Sequence, residues 1–143
     1  MNSEKMNFIR DDKRVNVEDL EKLELLISNS LPKDYVQHMI EFNGGYLASG
    51  GVKNYYYDNK CVSFGRLFDL DKVKDMFNVK HEFLVNQGIL SIGSVVGGYI
   101  GMGYSHNNLG EVFVYYSDGK TEKVAESFSE FIEELTLEED DFL

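Results

Sequence analysis

At 143 residues, 43% of them hydrophobic and 13% aromatic, the chain is sized for one domain with an ordinary core. A net charge of −11 and a pI near 4.6 disfavour nucleic acid and anionic membranes as partners and favour basic proteins. Cys61 is the only cysteine, so no intrachain disulfide can form, and the polar start Met1-Asn2-Ser3-Glu4-Lys5 is no secretory signal; a cytoplasmic protein is expected.

In chain order, residues 1–15 read as a weakly ordered lead-in, with Phe8 and Ile9 able to dock. Asn16 is a candidate N-cap, with Glu18 and Asp19 in the first turn where they complement the helix dipole. Val17, Leu20, Leu23, Leu26 and Ile27 mark one face of a first helix ending near Asn29. A second helix spans about 32–42. Pro32 suits its first turn, and Tyr35, Val36, Met39, Ile40 and Phe42 form its apolar face. This places His38 on the polar side. Asn43-Gly44-Gly45 tolerates positive φ and reads as the C-cap.

Tyr46 to Lys60, rich in Gly and Tyr, reads as extended or looped. Cys61 to Phe68 reads as a strand, with Cys61 a small buried residue. Asp69 caps a third helix near 70–77, carrying Leu70, Val73 and Phe77; Val79 to Val85 is a helical turn or a loop. Leu90 and Ile92, then Ile100, Met102 and Tyr104, alternate with small residues as strands do. Gly97-Gly98 and Asn107-Asn108-Leu109-Gly110 connect them, and Val112, Val114 and Tyr116 mark a further strand. Asp118-Gly119 is a two-residue hairpin signal leading into a short strand at Thr121 to Ala125. Ser127 and Glu130 form a capping box for a last helix with Phe128, Phe131, Ile132 and Leu135 on one face. Helices first, then an antiparallel sheet of about five or six strands, then a closing helix define an α+β fold. Residues 138–143 read as an acidic tail. Val124 to Leu143 holds carboxylates but no Lys or Arg.

No catalytic signature is present. Cys61 has no neighbouring histidine, and His38, His81 and His106 are too scattered for a metal cluster. Gly97, Gly98, Gly101 and Gly103 match neither nucleotide-loop pattern and fit bulges or close backbone approaches better. A general base among His106, Asn107 and Glu111 is conceivable, but no nucleophile or metal is positioned with it. Tyr55-Tyr56-Tyr57 has two readings: a strand whose alternate tyrosines pack inward, or tyrosines presented to a partner.

Four signposts, in order, resemble the SUKH superfamily of fungal Smi/Knr cell-wall regulators and bacterial immunity proteins. They are Leu31-Pro32-x-Asp34-Tyr35 with Asn43-Gly44-Gly45; Ile89-Leu90-Ser91-Ile92-Gly93; Gly110-Glu111-Val112-Phe113-Val114-Tyr115; and Ala125-x-Ser127-Phe128-x-x-Phe131. They cover about residues 17–137. The family often carries a Trp in its central strands, and this chain has none.

The resemblance implies a single domain over 1–143 without catalytic residues, metal or cofactor. Its expected role is non-catalytic protein binding, as an immunity protein that neutralises a polymorphic toxin, possibly a nuclease, within a toxin–antitoxin pair. The alternative is a regulatory scaffold in cell-wall or envelope assembly. The expected partner is a basic toxin domain, not nucleic acid or membrane. Candidate partner-binding residues are Tyr55, Tyr56, Asp58, Tyr99, Tyr104, His106, Asn107 and Glu111.

Overall fold

Alternating buried and half-buried side chains along Val112–Tyr116 mark a strand with one face in the core. The same rule organises most of the chain. The computed structural model describes residues 8–11, 13–48, 53–57, 60–78 and 86–136. Residues 1–7 of the lead-in, Asp58, the run 79–85 with His81, and the tail 138–143 lie outside the described residues.

The elements run β1 (Phe8–Ile9), α1 (Val17–Ile27), α2 (Lys33–Phe42), β2 (Tyr46–Leu47), β3 (Lys53–Tyr57), β4 (Lys60–Leu67), α3 (Leu70–Asn78), β5 (Ile89–Val95), β6 (Gly98–Gly103), β7 (Val112–Tyr116), β8 (Thr121–Ala125) and α4 (Phe128–Thr136). Strands β3 to β8 form a six-stranded antiparallel meander in sequence order, and β1 and β2 pair as a separate ribbon. The fold is α+β, as the sequence pattern indicates.

Register decides what each face carries. Ile100 pairs with Val114 and Met102 with Val112, and all four are fully buried. They join Val62, Phe64 and Leu90 in one core with the buried side chains of α1, α2, α3 and α4. The opposite face carries the row Ser94, Tyr99, Tyr115 and Thr121, beside the row Ser91, Gly101, Phe113 and Lys123. The register shifts at Gly65, between Ser91 and Gly93, and at Val124. Such bulges increase local twist.

Glycine in β6 permits close approach: a Cβ at Gly98, Gly101 or Gly103 would collide with Tyr115, Ile89 or Asn108. The Asp118-Gly119 hairpin closes with three loop residues rather than two. Tyr116 N donates to the Lys120 carbonyl, and Gly119 takes the left-handed position at φ +93.

The helix caps follow the sequence closely. Asn16 accepts from Asp19 N while Asp19 accepts from Asn16 N, a complete capping box. Asp69 Oδ1 accepts from Lys72 N at the head of α3. Glu130 N donates to Ser127 Oγ, but the Glu130 carboxylate takes Glu126 N instead of Ser127 N, so only half of the expected box at α4 forms.

The apolar faces differ in places. Val17 and Leu26 are exposed, and α1 buries Leu20, Leu23 and Ile27. Ile40 is also exposed, whereas His38, read as solvent-facing, is buried. Helical arithmetic explains the exchange: at roughly 100° per residue, His38 lies about 40° from Phe42 and about 60° from Tyr35, while Ile40 lies about 140° from Tyr35. Cys61, expected inside, is exposed. It pairs with Tyr56 on the outward side of the β3–β4 hairpin, one step out of phase with buried Tyr55 and Val62.

Candidate functional site

The turn after α2 is a hub of backbone contacts. Asn43 sits at φ 48 and is 2% exposed; its Oδ1 accepts from Leu70 N at 2.9 Å and its Nδ2 donates to the Lys13 carbonyl at 2.8 Å. One amide therefore closes the C-terminus of α2, caps α3 and holds the segment leading into α1. Gly44 follows at φ +88, where a Cβ would strike the Phe68 carbonyl. His38 Nε2 donates to the Gly44 carbonyl at 2.8 Å. That bond fixes the neutral tautomer with the proton on Nε2 and leaves Nδ1 as an acceptor. The ring packs edge-on against Phe8 and Phe128 at 5.0 and 5.3 Å between centroids. Desolvation lowers its pKa from 6.5 to about 4, against a smaller upward effect of the Gly44 carbonyl, so the imidazole is neutral at neutral pH.

The start of α2 is joined to α4. Asp34 Oδ2 accepts from Ser129 N at 2.9 Å and Ser129 Oγ at 2.8 Å, while its Oδ1 accepts from Tyr35 N at 2.8 Å. A carboxylate from one helix thus caps the first turn of another. Tyr35 and Phe128 then meet edge-on at 5.2 Å beneath this junction. Burial raises the Tyr35 pKa, and among the described residues its hydroxyl has no hydrogen-bond partner.

Between the two helices opens a groove of about 340 Å³. Its rim carries the carboxylates of Asp34, Glu41 and Glu133, its walls Phe42 and Ile132, and its buried floor His38 and Phe128. All formal charge lining it is negative.

The sequence-derived candidates scatter across the fold. Tyr55 is 4% exposed, donates to the Val124 carbonyl at 2.7 Å and lies 4.9 Å from the Phe131 ring; burial, then Glu130 and Glu134, raise its pKa. Tyr104 is 6% exposed and faces Phe77. Neither offers surface to a partner. Tyr56 is 59% exposed on β3, and Asp58 lies outside the described residues.

Tyr99 lies on the outward face of the sheet, and Glu111 stands just before β7, where its carbonyl accepts from Gly103 N. Glu111 is held by Lys123, which also binds Glu126. Those two carboxylates, Glu126 first, raise the lysine pKa. His106 and Asn107 lie exposed in the loop between β6 and β7, with Asn107 Oδ1 accepting from Ser105 Oγ at 2.6 Å. That loop is anchored by Asn108, which accepts from Ser105 N and donates to the Gln87 carbonyl. Phe113 and Tyr115 share that outward face, Tyr115 paired directly with Tyr99. Their strand alternation, read for its outward half, would have found them. Among the described residues no group of three or more His, Cys, Asp or Glu side chains could hold a metal ion.

The profile of the SMI1/KNR4 family (SUKH-1) matches residues 14–134. The chain belongs to the SMI1/KNR4 family. No curated protein shows significant similarity to it. Domains of this SUKH family are generally non-catalytic and immunity or regulatory in role, and they generally bind protein partners. The matched span takes in α1 through nearly all of α4, so it includes both walls of the groove. The SUKH signposts also meet in space here: Asp34 from the first touches Ser129 beside the last, and Asn43-Gly44-Gly45 organises the turn between them and the sheet. No described helix is long and apolar enough to cross a membrane.

Proposed function

We propose that this chain is an immunity protein that neutralises a basic toxin domain by stoichiometric binding. The observation that carries this reading is where the charge sits. Helices α2 and α4 hold Asp34, Glu41, Glu130, Glu133 and Glu134 against Lys33 alone, and α1 adds Glu18, Asp19, Glu21 and Glu24 against Lys22. The negative potential is therefore gathered on the helical layer. A toxin that acts on nucleic acid must expose Lys and Arg to hold phosphates. A layer of carboxylates steers such a surface in and competes for the same cations. A specific complex needs about 800 Å² from each partner, which this layer can supply.

The test is titration calorimetry against a basic nuclease toxin domain encoded beside this chain's gene, with nuclease activity read in parallel. One-to-one binding that silences the nuclease and weakens with added salt is expected. A toxin domain that keeps full activity in excess of this protein, at low and at moderate salt, counts against the proposal.

A further inference from the structure

We infer that Asn43-Gly44 is a self-modification site: the pair loses ammonia and becomes aspartate or isoaspartate when the junction around it opens, and the native fold holds that reaction back. Nothing in this depends on the immunity reading. It rests on the chemistry of one dipeptide and on the contacts that hold it.

The reaction needs no enzyme. The Gly44 backbone nitrogen bonds to Asn43 Cγ as the Cγ–Nδ2 bond breaks, and the proton given up by Gly44 leaves on ammonia. Water then opens the cyclic imide. Opening at Cγ gives aspartate; opening at the main-chain carbonyl gives isoaspartate, in which the backbone runs through the side chain. Glycine in the second position favours ring closure, because it has no side chain to crowd the attacking nitrogen and its backbone is permissive. Asn43-Gly44 is the one Asn-Gly pair in the sequence.

The fold requires both residues of this labile pair. Gly44 sits at φ +88, where a Cβ would strike the Phe68 carbonyl. Asn43 takes φ 48, which asparagine tolerates better than most side chains do. Its amide must also accept and donate at once, from Leu70 N and to the Lys13 carbonyl. An ionised aspartate accepts but does not donate.

The same contacts guard the pair. Asn43 is 2% exposed, and its two amide atoms are tied to segments 27 and 30 residues away. Expelling Nδ2 breaks the bond to Lys13, and turning Cγ onto the Gly44 nitrogen draws Oδ1 away from Leu70. The reaction therefore runs from the opened junction, at a rate set by how often it opens. Its product does not reclose in the same way. A carboxylate oxygen would replace Nδ2 at 2.8 Å from the Lys13 carbonyl, setting two acceptors face to face around a buried charge. Each opening that reacts removes a molecule from the native pool.

The experiment is peptide mapping by mass spectrometry of the whole protein, held in mildly alkaline buffer with and without unfolding urea. Amide-to-acid conversion is read at Asn43 and at Asn29, which is exposed and precedes Ser30. In urea, Asn43 should convert faster than Asn29. Folding should slow Asn43 by about a hundredfold or more, and Asn29 by at least about tenfold less than that. Conversion of Asn43 as fast in the folded protein as in urea, or equal slowing at both positions, would overturn the guarding role of the junction. Faster conversion of Asn29 in urea would overturn the site itself. These readings use wild type alone. The product is tested separately with N43D: a lower urea midpoint than wild type, or failure to fold, is expected, and an unchanged midpoint would show that the modified junction recloses.

Discussion

Acidification from neutral pH should weaken this protein through His38. The unfolded ring titrates near 6.5, but burial between Phe8, Phe42 and Phe128 holds the native ring near 4. Above the unfolded value both states carry a neutral ring and its contribution is intact. Between about 6.5 and 4 the unfolded chain binds a proton that the native state refuses, so stability falls as pH falls. Each pH unit in that window removes about 1.4 kcal/mol, so going from about pH 7 to about pH 5 costs about 2 kcal/mol. That is a sizeable share of the roughly 5–15 kcal/mol that holds a typical domain.

Urea unfolding of wild type and of His38→Gln at the two pH values measures it. Glutamine can still donate to Gly44 but does not titrate. The variant starts less stable, having lost its ring contacts, yet its stability should change by about 2 kcal/mol less than wild type over this interval. Equal losses in both proteins would refute the argument that His38 is buried in its neutral form.

Three further outcomes follow from the geometry. Gly44→Ala forces a Cβ against the Phe68 carbonyl at φ +88 and should cost roughly 2–4 kcal/mol by denaturant unfolding, whereas Gly119→Ala, with open space at a similar φ, should cost about 1–2 kcal/mol. Asp34→Ala removes the acceptor shared by Ser129 N and Oγ and should cost about 1–2 kcal/mol, with faster amide exchange in the first turn of α4. The Cys61 thiol should react with a disulfide reagent in the native protein at a rate close to that in denaturant; protection by orders of magnitude would place it inside the sheet.

Local signals in the sequence carried far. The Asn16 box, the Asp69 cap and the strand alternation in Val112–Tyr116 each follow from neighbours within a few residues, and each is formed. The four signposts placed the chain in its family before any contact was visible, and the family match covers 14–134. Side chains that look the same locally were harder to read. Tyr55 and Tyr56 are chemically identical, and only pairing with Val62 and Cys61 sends one inward and the other out. The burial of His38 follows from its angular position on α2 and not from its polarity.

What the amino-acid order determined alone was the set of elements, their caps, the acidic balance and the family, because caps, turns and periodicity are short-range. What only the tertiary structure decided was which of those parts meet. Asp34 and Ser129 stand 95 residues apart in sequence, and the groove exists because their helices close on each other there. The neutral state of His38 is likewise a property of the packing around it, since desolvation is set by neighbours that the chain brings in from elsewhere.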